Sequence, residues 1–417
     1  MKYFGTDGIR GIYGEGITED VAYRAGRALA SLFSGKGVVG RDTRTSGPSL
    51  EDALISGITD GGADVITVGV LSTPGVSFMT RSAKANFGVA ISASHNPPEY
   101  NGLKVFSSDG SKITVGAEEA LEYYMDNTGA SCGAKGKRYT GSSGIYLASL
   151  TEDAVNFAEK SGRSGRLDGL RILVDSGGGA AHGIAEEVFR VLGANVTSLC
   201  LSCKGECINV RCGALHPDGM AETARRGGFD LGVAFDGDAD RLVIWQNRLL
   251  DGDEVMLNLA SVVRAKTVVG TVMTNSALER VLAEKGARLV RASVGDRSVY
   301  EIMQLCKSNL GGEPSGHYII GNARTGDGVL SALVVSSLYL SEGLQTLHLD
   351  PRKMIGVSVS PSVLATTRAN EAVRQAKRIA NRVVVRPSGT EPIIRIMAEG
   401  GDVDGAVELV RNALVNV

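Results

Sequence analysis

Phe87-Gly-Val-Ala-Ile-Ser-Ala-Ser94-His95-Asn96-Pro97 is the stretch on which the reading of this chain turns. Its apolar run, Phe87–Ile91, reads as a buried strand, and His95-Asn96-Pro97 opens a turn or a helix. Ser94 is thereby expected at the exposed carboxyl end of a strand, where open α/β sheets place their ligands. A hydroxyl there is either a cap or a reacting group. If Ser94 is the one that reacts, Ser92, two residues earlier, is left as the structural serine of the pair.

Outward from this segment the same unit recurs: a short apolar strand, a Gly/Asp/Ser-rich turn and an amphipathic helix. Val38–Asp42 and Asp64–Gly69 read as further strands. A helix is expected from about Ser49 as N-cap, with Leu50, Leu54 and Ile58 on one stripe and Gly61-Gly62 as its stop. Another begins near Thr18 and carries Val21, Ala25, Leu29 and Leu32 on one face. Thr128–Gly144 reads as a loop. Fresh strands start at Leu170, Leu231 and Thr267, with helices over about Gly183–Leu192 and Val329–Leu340. From Leu347 the pattern changes, with strands at Val357–Val359, Arg382–Val385 and Ile393–Met397, a basic helix and a terminal helix from Asp402. The expected fold class is therefore α/β. Three similar α/β domains with mixed, largely parallel sheets are followed by a small C-terminal α+β domain. The boundaries fall at 1–150, 151–250, 251–345 and 346–417.

At 417 residues the chain exceeds one compact core. Its net charge of −2, without blocks of like charge, excludes a nucleic-acid stripe or an anionic-membrane patch. The N-terminus has no apolar signal core and no window reaches a membrane span, so a cytoplasmic location is expected. The 55 glycines suit a backbone that approaches a ligand closely. Cys200, Cys203, Cys207 and Cys212 match neither ferredoxin nor zinc-ribbon spacing and read as reduced thiols.

Three segments carry chemistry. Asp236-Gly-Asp238-Ala-Asp240-Arg241 ends an apolar strand. Three carboxylates at alternate positions repel unless a cation joins them, and the all-oxygen set points to Mg2+. No Gly or Glu stands where an EF-hand needs it. Arg241 adds a phosphate-type partner. Arg386-Pro-Ser388-Gly389-Thr390-Glu391-Pro392, with Arg395 beyond, offers hydroxyls, an unobstructed N–H and two guanidiniums to a phosphate monoester. In Gly311–His317, Glu313 and Ser315 can bracket a polyol, while His317 alone says little. Lys104 is either a surface lysine on an edge strand or, in a phosphate-lined cleft, a proton shuttle.

Five motifs, Phe4–Gly11, Ser92–Pro97, Asp236–Arg241, Gly312–His317 and Arg386–Pro392, together closely resemble the α-D-phosphohexomutase superfamily, in the family's order. The resemblance implies four domains around a central cleft and conversion of a small hexose phosphate between its 6- and 1-phosphates through a 1,6-bisphosphate. Ser94 would carry the phosphoryl group and, with Asp236, Asp238 and Asp240, bind one Mg2+. Glu313 and Ser315 would read sugar hydroxyls. Arg386, Ser388, Gly389, Thr390 and Arg395 would hold the non-reacting phosphate. Arg10, Lys104 and His317 match positions near the reacting phosphate, suited to charge stabilisation and proton transfer. A hexose 1,6-bisphosphate is the expected activator, and a homodimer is left open.

Within the superfamily, Phe4–Arg10, Val294–Arg297 and Ile208–Gly213 with His216-Pro217 resemble the glucosamine-phosphate branch rather than the mannose/glucose branch. Pro314 replaces the Gln or Met of those branches, and Arg324-Thr325 replaces a Thr-Thr pair. The chain is also short, with a compact fourth domain. The rival functions are a phosphoserine-type sugar phosphatase, for which the five histidines build no second metal site, and a non-catalytic sugar-phosphate sensor.

Overall fold

The computed structural model describes residues 2–5, 7–127, 133–199, 205–388 and 393–415. Two compact units result, Met1–Thr271 with Ala287–Thr346, and Val272–Gly286 with Leu347–Val417. Among the described residues no helix is long and apolar enough to cross a membrane.

The first unit holds three sheets. In the seven-stranded sheet the order is Phe4–Gly5, Gly8–Ile12, Tyr100–Ser107, Phe87–Ile91, Lys36–Arg41, Asp64–Val70 and Arg138–Thr140. Phe87–Ile91 lies parallel to Lys36–Arg41 and antiparallel to Tyr100–Ser107. All five of its residues are buried, as an unbroken apolar strand between two helix layers requires. A five-stranded sheet centres on Leu231–Phe235, with Arg171–Asp175 parallel on one side and Leu242–Gln246 antiparallel on the other. A four-stranded sheet orders Arg288–Ala292, Thr267–Thr271, Leu310–Gly312 and Tyr318–Ile320, the last pair antiparallel. Each sheet is parallel on one side and antiparallel on the other, which makes these the mixed α/β sheets expected.

Local signals placed most elements. Thr18 caps the helix Glu19–Phe33 by accepting from Val21 N at 3.2 Å. The helix Gly47–Asp60 starts earlier than expected. Pro48 occupies its first turn, where a missing N–H costs nothing, so Ser49 is inside the helix rather than its cap. Gly61 ends it, as expected. The expected loop Thr128–Gly144 contains the short strand Arg138–Thr140, which pairs with Asp64–Val70; residues 128–132 lie outside the described residues. Residue 150, expected at a domain boundary, lies inside the helix Gly144–Lys160.

The second unit is a three-stranded antiparallel sheet, ordered Arg352–Val357, Ile394–Gly401 and Ala380–Pro387. It carries the helices Ser276–Glu284, Thr367–Ile379 and Val403–Val415. Its first strand precedes the expected Val357–Val359, because the pairing partner Ile394–Gly401 extends back along Arg352–Val357. Buried Glu399 joins Arg382 at 2.8 Å and the Ser276 hydroxyl at 2.6 Å.

Candidate active site

Ser94 follows the buried strand Phe87–Ile91 with φ at +50°, a left-handed conformation that a non-glycine residue keeps only when its surroundings hold it there. They do. Ser94 N donates to Ser92 Oγ at 2.9 Å, and Ser92 Oγ donates to Asp42 Oδ2 at 2.6 Å. Arg44, fully buried, binds the same Asp42 oxygen at 2.9 Å through Nε. Its other nitrogens donate to the carbonyls of Ser94, Asn96, Pro97 and Tyr100. Asn209 adds bonds to Ser94 O and Asn96 O at 2.8 and 3.0 Å. Ser92 is thus structural, as expected. Ser94 itself is only 1% exposed, not open to solvent as expected, because the aspartate loop covers it.

That loop leaves the strand Leu231–Phe235 and turns at Ala239, φ +58°. Gly237 is required there, since a Cβ on it would stand 2.6 Å from Ser94 O. The turn brings one oxygen each of Asp236, Asp238 and Asp240 within 4.8 Å of one another, all three residues buried. Ser94 Oγ donates to Asp236 Oδ2 at 2.6 Å. Burial, and then Asp240 and Asp238, push the Asp236 carboxyl well above the carboxylate range. Asp238 Oδ1 and Asp240 Oδ1 are buried with no hydrogen-bond partner. Clustered anionic oxygens without partners fit a hard divalent cation, so the triad can hold a metal ion. It is the one His/Cys/Asp/Glu group among the described residues that can. Cys200 and Cys203 lie outside those residues.

Lys104 is on an interior strand rather than an edge and is 1% exposed. Its Nζ donates to Asp238 Oδ2 at 2.7 Å and Asp240 Oδ2 at 2.8 Å. Burial opposes its charge, but Asp238, Asp240 and Asp7 outweigh burial and raise its pKa well above the ordinary value. Arg10 pairs with Asp7 and donates to Asn96 Oδ1 at 3.3 Å, beside the Ser94 loop. From Asp7 an ion network runs on through Lys112, whose Nζ also meets Asp296 Oδ2 at 2.7 Å. Asp296 Oδ2 lies 3.6 Å from His317 Nε2 and accepts from Thr325 Oγ1 at 3.3 Å. Sequence reasoning quoted Asp7 and Asp296 within motifs but gave them no role, and missed Lys112, Asp42 and Arg44. Asp42 follows an apolar strand, the only local signal available.

Glu313, Ser315 and His317 sit on one loop joined to the aspartate loop by Leu242 N→Gly316 O at 2.9 Å. Glu313 Oε1 accepts from Gly295 N at 3.0 Å; Ser315 is exposed. His317 Nε2 accepts from Gly326 N at 3.1 Å, so the ring proton of neutral His317 sits on Nδ1, which is buried without a partner. Arg241 reaches Asp240 at 4.0 Å, with its Nε buried and unpartnered. Arg386, Ser388 and Arg395 belong to the second unit. Arg386 and Arg395 stand directly opposite each other across two strands. Gly389 and Thr390 lie outside the described residues.

Four consecutive family models match the chain. They are phosphoglucomutase/phosphomannomutase alpha/beta/alpha domain I over residues 1–131, domain II over 145–249, domain III over 251–349, and the C-terminal domain over 352–417. The chain belongs to the phosphoglucomutase/phosphomannomutase family. Among curated relatives of this family, a phosphoglucosamine mutase of Desulfotalea psychrophila is 39% identical, covering 96% of this chain and 95% of the relative. One of Deinococcus deserti is 40% identical, over 98% and 96% of the two chains. Among solved structures, a phosphoglucomutase/phosphomannomutase family protein of Burkholderia thailandensis superposes with a TM-score of 0.80 at 23% identity, covering 99% of this chain and 95% of that one. The N-acetylphosphoglucosamine mutase of Aspergillus fumigatus, in complex with GlcNAc-6P and magnesium, gives 0.65 at 16% identity over 100% and 96%. The last two share the fold.

Proposed function

We propose that this chain is a phosphohexomutase that interconverts glucosamine 6-phosphate and glucosamine 1-phosphate through a phosphoserine at Ser94. The observation that carries the reading is Ser94 Oγ bonded to an aspartate triad with partnerless oxygens, in a chain 39–40% identical to phosphoglucosamine mutases.

In each half-reaction one P–O bond breaks as another forms. The phosphoryl group leaves Ser94 Oγ for the free sugar hydroxyl, which loses a proton while Ser94 Oγ gains one. The other phosphate of the resulting 1,6-bisphosphate then returns to Ser94. Asp236, Asp238 and Asp240 would hold Mg2+, which when bound neutralises charge on the transferred oxygens. Arg10 and Lys104 supply fixed positive charge, the latter as an ammonium among three carboxylates. His317, with its partnerless Nδ1–H, is assigned to the proton exchange. Glu313 and Ser315 read sugar hydroxyls, and Arg241 binds phosphate oxygens. Arg386, Ser388, Gly389, Thr390 and Arg395 hold the phosphate that is not transferred. Segments 1–150, 151–250, 251–345 and 346–417 would then contribute the phosphoserine, metal, sugar and phosphate loops of a cytoplasmic enzyme.

The test is a coupled assay on the 6-phosphates of glucosamine, glucose and mannose, with Mg2+ and a catalytic amount of hexose 1,6-bisphosphate. Fastest 1-phosphate formation from the glucosamine ester, dependent on both additions, is expected. Phosphate release without isomerised product overturns the reading in favour of a phosphatase.

A further inference from the structure

A cavity of about 630 Å3 opens in the first unit between the helices Thr73–Ser82 and Gly144–Lys160 and the segment 320–327. None of Ser94, the aspartate triad, Glu313 or His317 lines it. Its size falls within the roughly 300–1,000 Å3 of small-molecule sites.

Three cations reach its wall, Arg81, Lys160 and Arg324, against two carboxylates, Asp153 and Asp327. Asp327 is already engaged, accepting from Tyr146 Oη at 2.7 Å and from Leu330 N at 3.0 Å. Arg81 Nη1 donates to the Asn322 carbonyl at 2.9 Å, and its Nε is buried with no acceptor. Among the described residues Arg81 and Lys160 form no ion pair, and Arg324 reaches a carboxylate, Asp109, only at 3.8 Å. Burial and the neighbouring Arg324 hold the Arg81 guanidinium below its ordinary pKa. Two half-buried guanidiniums that repel each other, Arg81 without an ion pair and Arg324 held only by Asp109 at 3.8 Å, leave positive charge for a bound anion. Beside them the wall is aromatic, with Phe78 packed 5.6 Å from Tyr146 and Phe157 adjacent.

We propose that this cavity is a second ligand site, independent of the mutase reading, for a phosphate monoester carried on a ring of hexose or nucleoside size. Arg81 and Arg324 take the phosphate, Lys160 adds charge at the mouth, and Phe78 and Phe157 face the ring. The site has a direct route to the catalytic loops. Thr73, at the start of one lining helix, bonds Asp238 through N at 3.0 Å and through its hydroxyl, and Gly326, beside the lining Thr325, bonds His317.

The test counts equivalents of glucose 6-phosphate and of adenosine 5′-monophosphate bound to dephosphorylated protein by calorimetry. Wild type is compared with the double variant Arg81→Ala/Arg324→Ala and with Lys160→Glu, whose exposed position makes the substitution safe for folding. One equivalent of at least one probe should be lost in the double variant, and that equivalent should bind tenfold or more weakly in Lys160→Glu. Whichever probe loses it identifies the source of the phosphate. Should the double variant fail to fold, the Lys160→Glu affinity decides. Both probes binding alike in wild type and variants, or not at all, overturns the proposal. A lost equivalent counts whether or not hexose phosphate also binds at Ser94, so failure here is distinct from failure of the mutase reading.

Discussion

Ser94 Oγ donates a 2.6 Å hydrogen bond to Asp236 Oδ2, although 142 residues separate them. The bond joins the hydroxyl proposed to carry the phosphoryl group to the loop proposed to hold the metal. Ser94→Ala should therefore lower turnover on the order of 10⁴-fold or more, as loss of a nucleophile does. Hexose phosphate binding should stay within a few-fold of wild type. Turnover persisting in the variant, measured without bisphosphate contamination, would remove Ser94 from the mechanism.

The partnerless oxygens of Asp238 and Asp240 make metal binding visible in stability. Titrating Mg2+ should raise the melting temperature, the gain reaching roughly 2.7 kcal/mol at a hundred times Kd. Asp238→Asn should lose most of that gain. An equal rise in the variant would place the metal elsewhere.

Arg44 is a buried guanidinium serving Asp42 and four carbonyls of the Ser94 loop. Arg44→Met leaves Asp42 buried and unpaired, so urea unfolding should show a loss of about 3–5 kcal/mol. Adding Asp42→Asn should recover part of it. If the two substitutions prove simply additive, the pairing is not what stabilises the loop.

Lys112 links Asp7, beside Arg10 and Lys104, to Asp296, beside His317. Lys112→Met should lower kcat by up to about 10²-fold through misplacement of these groups, with a smaller change in KM. Lys112→Arg should restore part of the rate. Unaltered kcat with reduced melting temperature would make the bridge purely structural.

Asp327 has its carboxyl raised to about 6 by burial. Its folded value lies above the unfolded one, so the folded chain binds the extra proton and stability falls as pH rises from about 4 to about 6. The loss is about 3 kcal/mol at most. Asp327→Asn keeps an acceptor for Tyr146 and for the helix cap, and should flatten the melting-temperature slope over that window. A slope unchanged from wild type would assign it to other groups.

Much of the fold was legible because its signals are local. Phe87–Ile91 is apolar throughout, Thr18 stands where a cap is needed, and Asp236–Asp240 carries its carboxylates within five residues. The sequence leaves Lys104 between an edge-strand surface position and a place in the cleft, because edge or interior depends on strand order. Tyr100–Ser107 lies between Gly8–Ile12 and Phe87–Ile91, a pairing that spans ninety or so residues on one side. Arg44 and Lys112 carried no motif at all. Their importance comes from partners far along the chain.

By itself, then, the sequence determined which segments become strands and helices, and which residue types could carry phosphate, metal and sugar chemistry. Periodicity, caps and side-chain chemistry reside in neighbouring residues. Tertiary structure alone decided that Ser94 is buried against Asp236, that Lys104 is an ammonium between Asp238 and Asp240, and that Lys112 joins Asp7 to Asp296. Those facts depend on sheet order and loop closure over a hundred residues or more, where burial and the mutual attraction of charges, rather than local preference, choose the partner.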